Sequence, residues 1–426
     1  MFCVDIQKML VKIARLRCLE SRLLSAFPAS RRFMATGLSA PVGGYEEAKR
    51  PKLFIPGPIE MSPEVLAASG SGMRSFIDTT LIEDFGKSIE LTRKVFLSKT
   101  GQPFIISGSG AMGWDAVCCN LMRKGDKVLQ VNSGFFSTRF EDTYVQYGME
   151  LHSVGAAKPG LRPENALVER RLKDAKASGK PFRVLSISGV DTSTAVLADL
   201  KALCDITRAV SPETLIVVDA VCSAAGEELR MDEWGIDFVM TGSQKAFGVP
   251  PGLCILIASE RVMAQMPGVN EIPNYFVNLQ RWLPIMKNYE ARQPSYFATP
   301  AVQLIGALRV GLEQMHATPG GMEGFFKAHR DMKTHIHTEL DKMGLKLLTA
   351  NTHIASNLLS TVRYPQGKGA VDVIPAMKER GWIIAAGLHP ECASEYFRFG
   401  HMGYSVTTKP QYITALLQAL HEVCKA

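Results

Sequence analysis

Short apolar runs recur along the chain, and helix-like segments separate them. The runs are Pro103–Ser107, Lys127–Val131, Val184–Ser188, Thr214–Val218 and Phe238–Thr241. Each is too short to be a helix of ordinary length and carries little polar alternation, which is the pattern of strands buried on both faces. Met112–Arg123, closed by Gly125, reads as a helix, as do a segment near Ser137–Tyr147 and Leu200–Val210. Strands alternating with helices predict an α/β fold with a mostly parallel sheet covered by helices. After Pro319-Gly320-Gly321 the pattern changes to one long helix, Met322–Met343, followed by shorter elements. The expected organisation is therefore an N-terminal segment over 1–45, a large domain with an N-terminal arm over 46–318, and a smaller α/β domain over 319–426. In such sheets ligands bind beyond the carboxyl ends of the strands.

Composition removes several classes of function. No apolar run approaches the ~20 residues that cross a bilayer, so no membrane span is expected. The net charge is +7, but residues 1–33 hold seven basic groups against two acidic ones. The remaining body is close to neutral and offers no electrostatic footprint for nucleic acid. Nine cysteines occur without a C-x-x-C, an odd count that argues against a disulfide framework. The nine histidines form no H-E-x-x-H, and His335 and His337 would point to different faces of a helix. No metal site is expected.

The N-terminus reads as an address. On a helix, Ile6, Met9, Leu10, Ile13 and Leu16 share one face, and Lys8, Lys12, Arg15 and Arg22 another. The segment is rich in arginine and poor in acids, as mitochondrial presequences are. Arg31-Arg32-Phe33-Met34-Ala35 resembles a matrix-peptidase cleavage site. Met34 could also start a shorter cytosolic product. The terminal Cys424-Lys425-Ala426 ends in Ala where a peroxisomal tripeptide ends in Leu, which disfavours that compartment.

Four strand ends carry polar residues that suit one chemistry. Gly108-Ser109-Gly110-Ala111-Met112-Gly113 matches G-x-G-x-x-G between a strand and a helix, where backbone N–H groups can hold a phosphate. A dinucleotide would also want an acidic residue about 20 positions later, and the next strand runs instead into Asn132 and Ser133. A single-phosphate site survives. Asp191-Thr192-Ser193-Thr194 follows another strand, Asp219 closes a third, and Lys245 stands just beyond a fourth. A phosphate cradle, hydroxyls, a carboxylate and a lysine are the parts that pyridoxal 5'-phosphate needs. Phe136 follows a further strand and is a candidate to stack on the ring.

With these residues in place, the chain resembles the class V aminotransferases of fold type I, PLP-dependent transferases, and within them the fungal alanine–glyoxylate aminotransferases. The resemblance covers roughly residues 50–426. It rests on Ile55-Pro56-Gly57-Pro58, Ser107-Gly108-Ser109-Gly110, Val190 to Leu197, Val218 to Ser223, Asp232 to Gly235, Gly242 to Ala246, Tyr296 to Pro300 and Arg398 to Gly403. It implies that Lys245 is the Schiff-base lysine and general base, and that Asp219 partners the pyridine nitrogen. Ser109, Gly110 and Ala111 would form the phosphate turn, with Gln244, Thr192, Val221 and Phe136 also at the cofactor. Tyr296 and Thr299 would reach the phosphate of a neighbouring subunit, implying a homodimer. Arg398 would grip the substrate carboxylate, with Gly57 also at the substrate. Two departures stand out: Ala111 where some relatives have His, and no His in Ser75-Phe76-Ile77.

The implied reaction moves the amino group of alanine to glyoxylate, giving pyruvate and glycine by a ping-pong mechanism. A serine–glyoxylate or serine–pyruvate aminotransferase is an alternative, since the donors differ by one hydroxyl. A cysteine desulfurase would need a loop cysteine, and none lies between Cys254 and Cys392. An NAD-dependent dehydrogenase rests only on Gly108–Gly113. A binding protein that keeps only the fold would be expected to have lost Lys245 or Asp219, and both are present.

Overall fold

The buried strands assemble into a seven-stranded sheet. They are β1 (Gln102–Ser107), β2 (Lys127–Asn132), β3 (Glu150–Gly155), β4 (Val184–Ser188), β5 (Leu215–Asp219), β6 (Phe238–Gly242) and β7 (Leu253–Ala258), in the order β1-β7-β6-β5-β4-β2-β3. The computed structural model describes residues 50–425. The expected presequence and Met34 lie outside the described residues. From Pro51 onward the chain forms one compact unit.

Strands β2 to β6 pair in parallel, while β7 runs antiparallel to both β1 and β6. Six strands therefore point the same way and deliver their carboxyl ends to one edge of the sheet. Strands β4 to β7 are buried along their whole length, which only a sheet covered on both faces allows. Sequence reading missed β3 and β7. The run Leu253–Ala258 is apolar throughout, and nothing in such a run states its direction.

Helices cover the sheet: α1 (Thr79–Val95), α2 (Met112–Leu121), α3 (Phe135–Gln146), α4 (Leu200–Val210), α5 (Leu279–Glu290) and α6 (Val302–His316) among them. Helix α1 begins where the Asp78 carboxylate accepts the Thr80 N–H at 2.8 Å, a side-chain cap that satisfies one orphan donor. Helix α2 ends at Leu121 and α3 starts at Phe135, each within two residues of the expected boundary.

A second hydrophobic core gathers around the C-terminal segment. The long helix α7 (Gly321–Lys342), helix α8 (Ala370–Glu379) and the terminal helix α9 (Pro410–Lys425) pack against a small antiparallel sheet. Its strands are β8 (Leu359–Arg363), β9 (Ala385–Ala386) and β10 (Tyr396–Gly400), in the order β8-β10-β9. Phe397 and Phe399 are fully buried in this core with Ile336, Leu340 and Leu416. Side chains alternate along a strand, so Arg398 between them leaves by the opposite face.

Candidate active site

The shared carboxyl edge of the sheet brings the strand-end residues together. The turn after β1 abuts the ends of β5 and β6. A Cβ on Gly110 would lie 2.7 Å from Val221 Cγ2 and 3.7 Å from the Gly242 nitrogen, closer than a side chain tolerates at Val221. Glycine is what lets these backbones approach. The turn leads straight into α2, and among the described residues no intrachain acceptor takes the N–H groups of Ser109, Gly110 and Ala111. Donors of this kind at a helix N-terminus hold an anion.

Asp219, the last residue of β5, is 5% exposed. Its Oδ1 accepts the Val221 N–H at 3.0 Å, and its Oδ2 accepts the indole Nε1–H of Trp114 at 2.8 Å. Burial pushes its carboxyl up to about 6, against the pull of these two donors and of the Lys245 charge. A buried carboxylate that meets no cation at bonding distance is the counterpart a protonated ring nitrogen requires.

Lys245 follows β6 in the segment that begins at Ser243. Its Nζ donates to the Pro56 carbonyl. Gly57 lies directly beneath it: the residue sits at φ +106°, and a Cβ there would fall 2.4 Å from Lys245 Cδ. No side chain fits at Gly57 while Lys245 passes over it. Burial, followed by the nearby Arg398 charge, depresses the Lys245 ammonium below the usual lysine range. A lysine so placed more readily reaches the neutral, nucleophilic form. Gln244 is half-buried, with its Oε1 turned back over Gly242.

Arg398 projects from β10 and donates Nε–H to the Ala386 carbonyl at 2.8 Å and Nη1–H to the Thr192 carbonyl at 3.1 Å. It has no ion pair among the described residues, and burial lowers its pKa. Two carbonyls fix the guanidinium and leave donors over for an incoming carboxylate. Thr192 is thus tied to Arg398 through its backbone, and its own side chain is buried.

The remaining expected residues are distributed unevenly. Phe136 is half-buried in the first turn of α3, at the carboxyl end of β2, with its ring edge-on to Phe135 at 5.3 Å. Asp191 acts as a local scaffold instead of facing a ligand. Its carboxylate accepts from Ser137 N–H and Oγ–H, and from Ser193 N–H and Oγ–H. Tyr296 and Thr299 bond to one another at 3.3 Å, and Tyr296 packs on Phe76 with ring centroids 4.7 Å apart. Among the described residues, neither side chain hydrogen-bonds to Lys245 or Asp219. Trp114 escaped the sequence reading, because a tryptophan on an amphipathic helix carries the signal of an ordinary core residue. The Asp219–Trp114 contact has no sequence periodicity that would reveal it.

Pyridoxal phosphate fits this donor set: unpaired N–H groups for the phosphate, a buried carboxylate for the pyridine nitrogen and a desolvated lysine for the aldehyde. Comparison with known proteins agrees. Residues 81–406 match the model of the family described as aminotransferase class V. The chain is 37% identical over 368 residues to alanine–glyoxylate aminotransferase 1 of Saccharomyces cerevisiae, covering 84% of this chain and 93% of that protein. It is 30% identical to the L-aspartate–glyoxylate aminotransferase of Paracoccus denitrificans, covering 82% and 86%. Among solved structures, the pyridoxamine–pyruvate aminotransferase of Mesorhizobium loti is similar with a TM-score of 0.79 at 25% identity, over 89% of this chain and 94% of that one. The chain belongs to the class V aminotransferases, enzymes of the fold type I architecture whose cofactor is pyridoxal 5'-phosphate.

Proposed function

We propose that this aminotransferase takes its amino group from alanine and gives it to glyoxylate, releasing pyruvate and glycine. The observation that carries the reading is the pairing of Arg398 with Lys245. A guanidinium fixed by two carbonyls and free of acidic partners sits close enough to Lys245 for its charge to depress the lysine's pKa. Small α-amino and α-keto acids share little but a carboxylate, and at about 0.8 kcal/mol per buried CH₂ their side chains contribute little binding. A bidentate grip on the carboxylate must then supply most of the affinity. Similarity to the yeast enzyme favours alanine as donor.

Bound pyridoxal phosphate supplies the electron sink that makes the Cα–H bond of an amino acid breakable. The protein's part divides among named residues. The N–H groups of Ser109, Gly110 and Ala111 hold the phosphate, with Gln244 beside it. Asp219 keeps the pyridine nitrogen protonated, and Val221 holds Asp219. Phe136 covers the ring, and Thr192 both borders the cofactor and supports Arg398. Lys245, neutral once released, removes the Cα proton and returns it one position along. Gly57 leaves the lysine room to swing.

The exposed Met73, Ile77 and Tyr296 are 75%, 60% and 54% accessible, and the Phe76 ring joins Tyr296 among them. An apolar patch of this kind suits a second copy of the chain. In such a homodimer Tyr296 and Thr299 of one subunit serve the phosphate of the other. The reading also places the enzyme in mitochondria after removal of the basic N-terminus, with N-terminal sequencing of the organellar protein expected to begin near Met34–Thr36.

Initial rates with alanine and glyoxylate varied together should give parallel double-reciprocal lines, as expected when one site is visited in turn. Alanine, serine and aspartate should be compared as donors to glyoxylate. A kcat/KM for serine or aspartate above that for alanine would replace the alanine reading. Intersecting lines would rule out the ping-pong scheme.

A further inference from the structure

Trp114 lies in the first turn of α2, and its indole N–H donates to Asp219 Oδ2 while the Val221 N–H donates to Oδ1. One donor on each oxygen fixes the plane of the carboxylate. The indole is itself held. It stacks on Phe140 with centroids 5.6 Å apart and planes 18° apart, and Phe140 stacks on Tyr144 at 4.4 Å and 19°. Phe140 and Tyr144 are fully buried. The aim of the indole N–H is thus inherited from a three-ring stack between α2 and α3. Phenylalanine would keep much of that packing, so the one property only tryptophan adds here is the donor.

We propose that Trp114 is a positioning residue for transamination, holding Asp219 ionised and oriented toward the pyridine nitrogen of the cofactor. This rests on the assignment of Asp219 to that nitrogen. A donor to a carboxylate favours its charged form, and here it opposes the burial that pushes Asp219 up to about 6. The other titratable neighbours are Lys245, Asp191, Tyr144, Cys222 and Cys254. Burial pushes the Tyr144 phenol and both thiols up, so all three are neutral near pH 6. Without Trp114, Asp219 takes up its proton at a higher pH.

The contact can be tested without activity. In cofactor-free protein carrying ¹⁵N-tryptophan, the indole N–H resonance of Trp114 is the one lost in Trp114→Phe. It should move between pH 5 and 8 with a midpoint near that of Asp219, and lie flat in Asp219→Asn. A flat wild-type titration, or an equal one in Asp219→Asn, overturns the proposal. In the holoenzyme, Trp114→Phe should weaken cofactor binding about tenfold at pH 7. It should also move the acidic limb of the kcat profile to higher pH and leave the alanine KM within twofold. Normal cofactor affinity and pH profile in Trp114→Phe, with Asp219→Asn impaired, would overturn the role of Trp114 alone. Normal cofactor affinity in both variants would remove Asp219 from the pyridine nitrogen, and the proposal with it.

Discussion

Two clusters of buried polar groups lie in this molecule, and they are finished differently. At the strand ends, Asp219, Lys245 and Arg398 are withdrawn from water, yet none makes an ion pair among the described residues. At the join between the two cores, partners are nearly complete. Glu227, 2% exposed, accepts from Ser356 Oγ–H at 2.7 Å, from the Asn357 N–H at 2.6 Å and from the Asn357 side-chain amide. His329 uses both nitrogens, Nδ1 with the Phe325 carbonyl and Nε2 accepting the Gly403 N–H. Ser360 bridges His337 and His401, whose Nδ1 atoms, with Asn357 Oδ1, are the exceptions without a partner. Burying a charge without its counterion is costly. At the strand ends a ligand can later supply the missing charge; at the join Glu227, also without an ion pair among the described residues, is met by three hydrogen-bond donors instead.

If that contrast holds, variants in the first cluster lose chemistry and variants in the second lose stability. Lys245→Ala should show the largest effect, a fall in turnover of at least about a thousandfold. Its thermal midpoint without cofactor should equal or exceed that of the parent, because a desolvated ammonium is gone. A lower midpoint would place Lys245 with the structural groups. Arg398→Lys keeps the charge and loses the planar fork. Losing about 3 kcal/mol should reduce kcat/KM for alanine and glyoxylate alike by roughly a hundredfold, with the cofactor absorbance unchanged. Wild-type constants for both substrates would show that Arg398 does not hold the carboxylate.

Smaller effects are expected at the join. Glu227→Gln turns one acceptor into a donor facing Asn357 and should cost about 2 kcal/mol of unfolding free energy, with kcat within twofold. A loss of activity without a loss of stability would merge the two clusters. The histidines give the finest test. Burial lowers His329 and His337 to about 4 and His401 further. Unfolding therefore takes up protons below the ordinary histidine pKa of about 6.5, and stability falls as pH drops from there toward 4. Each such histidine adds up to about 1.4 kcal/mol per pH unit to the slope. His337→Gln should relieve about 1 kcal/mol of the destabilisation at pH 5.5 in urea titrations. An unchanged slope would mean that His337 titrates normally in the fold.

The site was largely readable because a parallel sheet turns sequence order into spatial coincidence. Each apolar run ended in its polar residue; parallel pairing of β5 and β6 brings Asp219 and Lys245 to one edge, and two antiparallel steps through β7 bring Gly110 to the same edge. Arg398 was legible for a related reason, since Phe-Arg-Phe on a strand sends the arginine away from the core. Trp114 was not, because its role depends on a contact across 105 residues that no local pattern marks. The direction of β7 was equally hidden. The turn Pro250-Pro251-Gly252 that reverses the chain looks like any other breaker. The histidine and glutamate knot was invisible because its members come from β8, α7 and the segments near Glu227, Asn357 and His401, joined only by packing.

The central claim is that this site transfers an amino group from alanine to glyoxylate. Its most direct test is a single-turnover cycle on purified holoenzyme. Alanine added alone should bleach the visible band of the bound cofactor and release one pyruvate per subunit. Glyoxylate added next should restore the band and release one glycine. A band that alanine leaves unchanged, or pyruvate released without recovery on glyoxylate, would contradict the account.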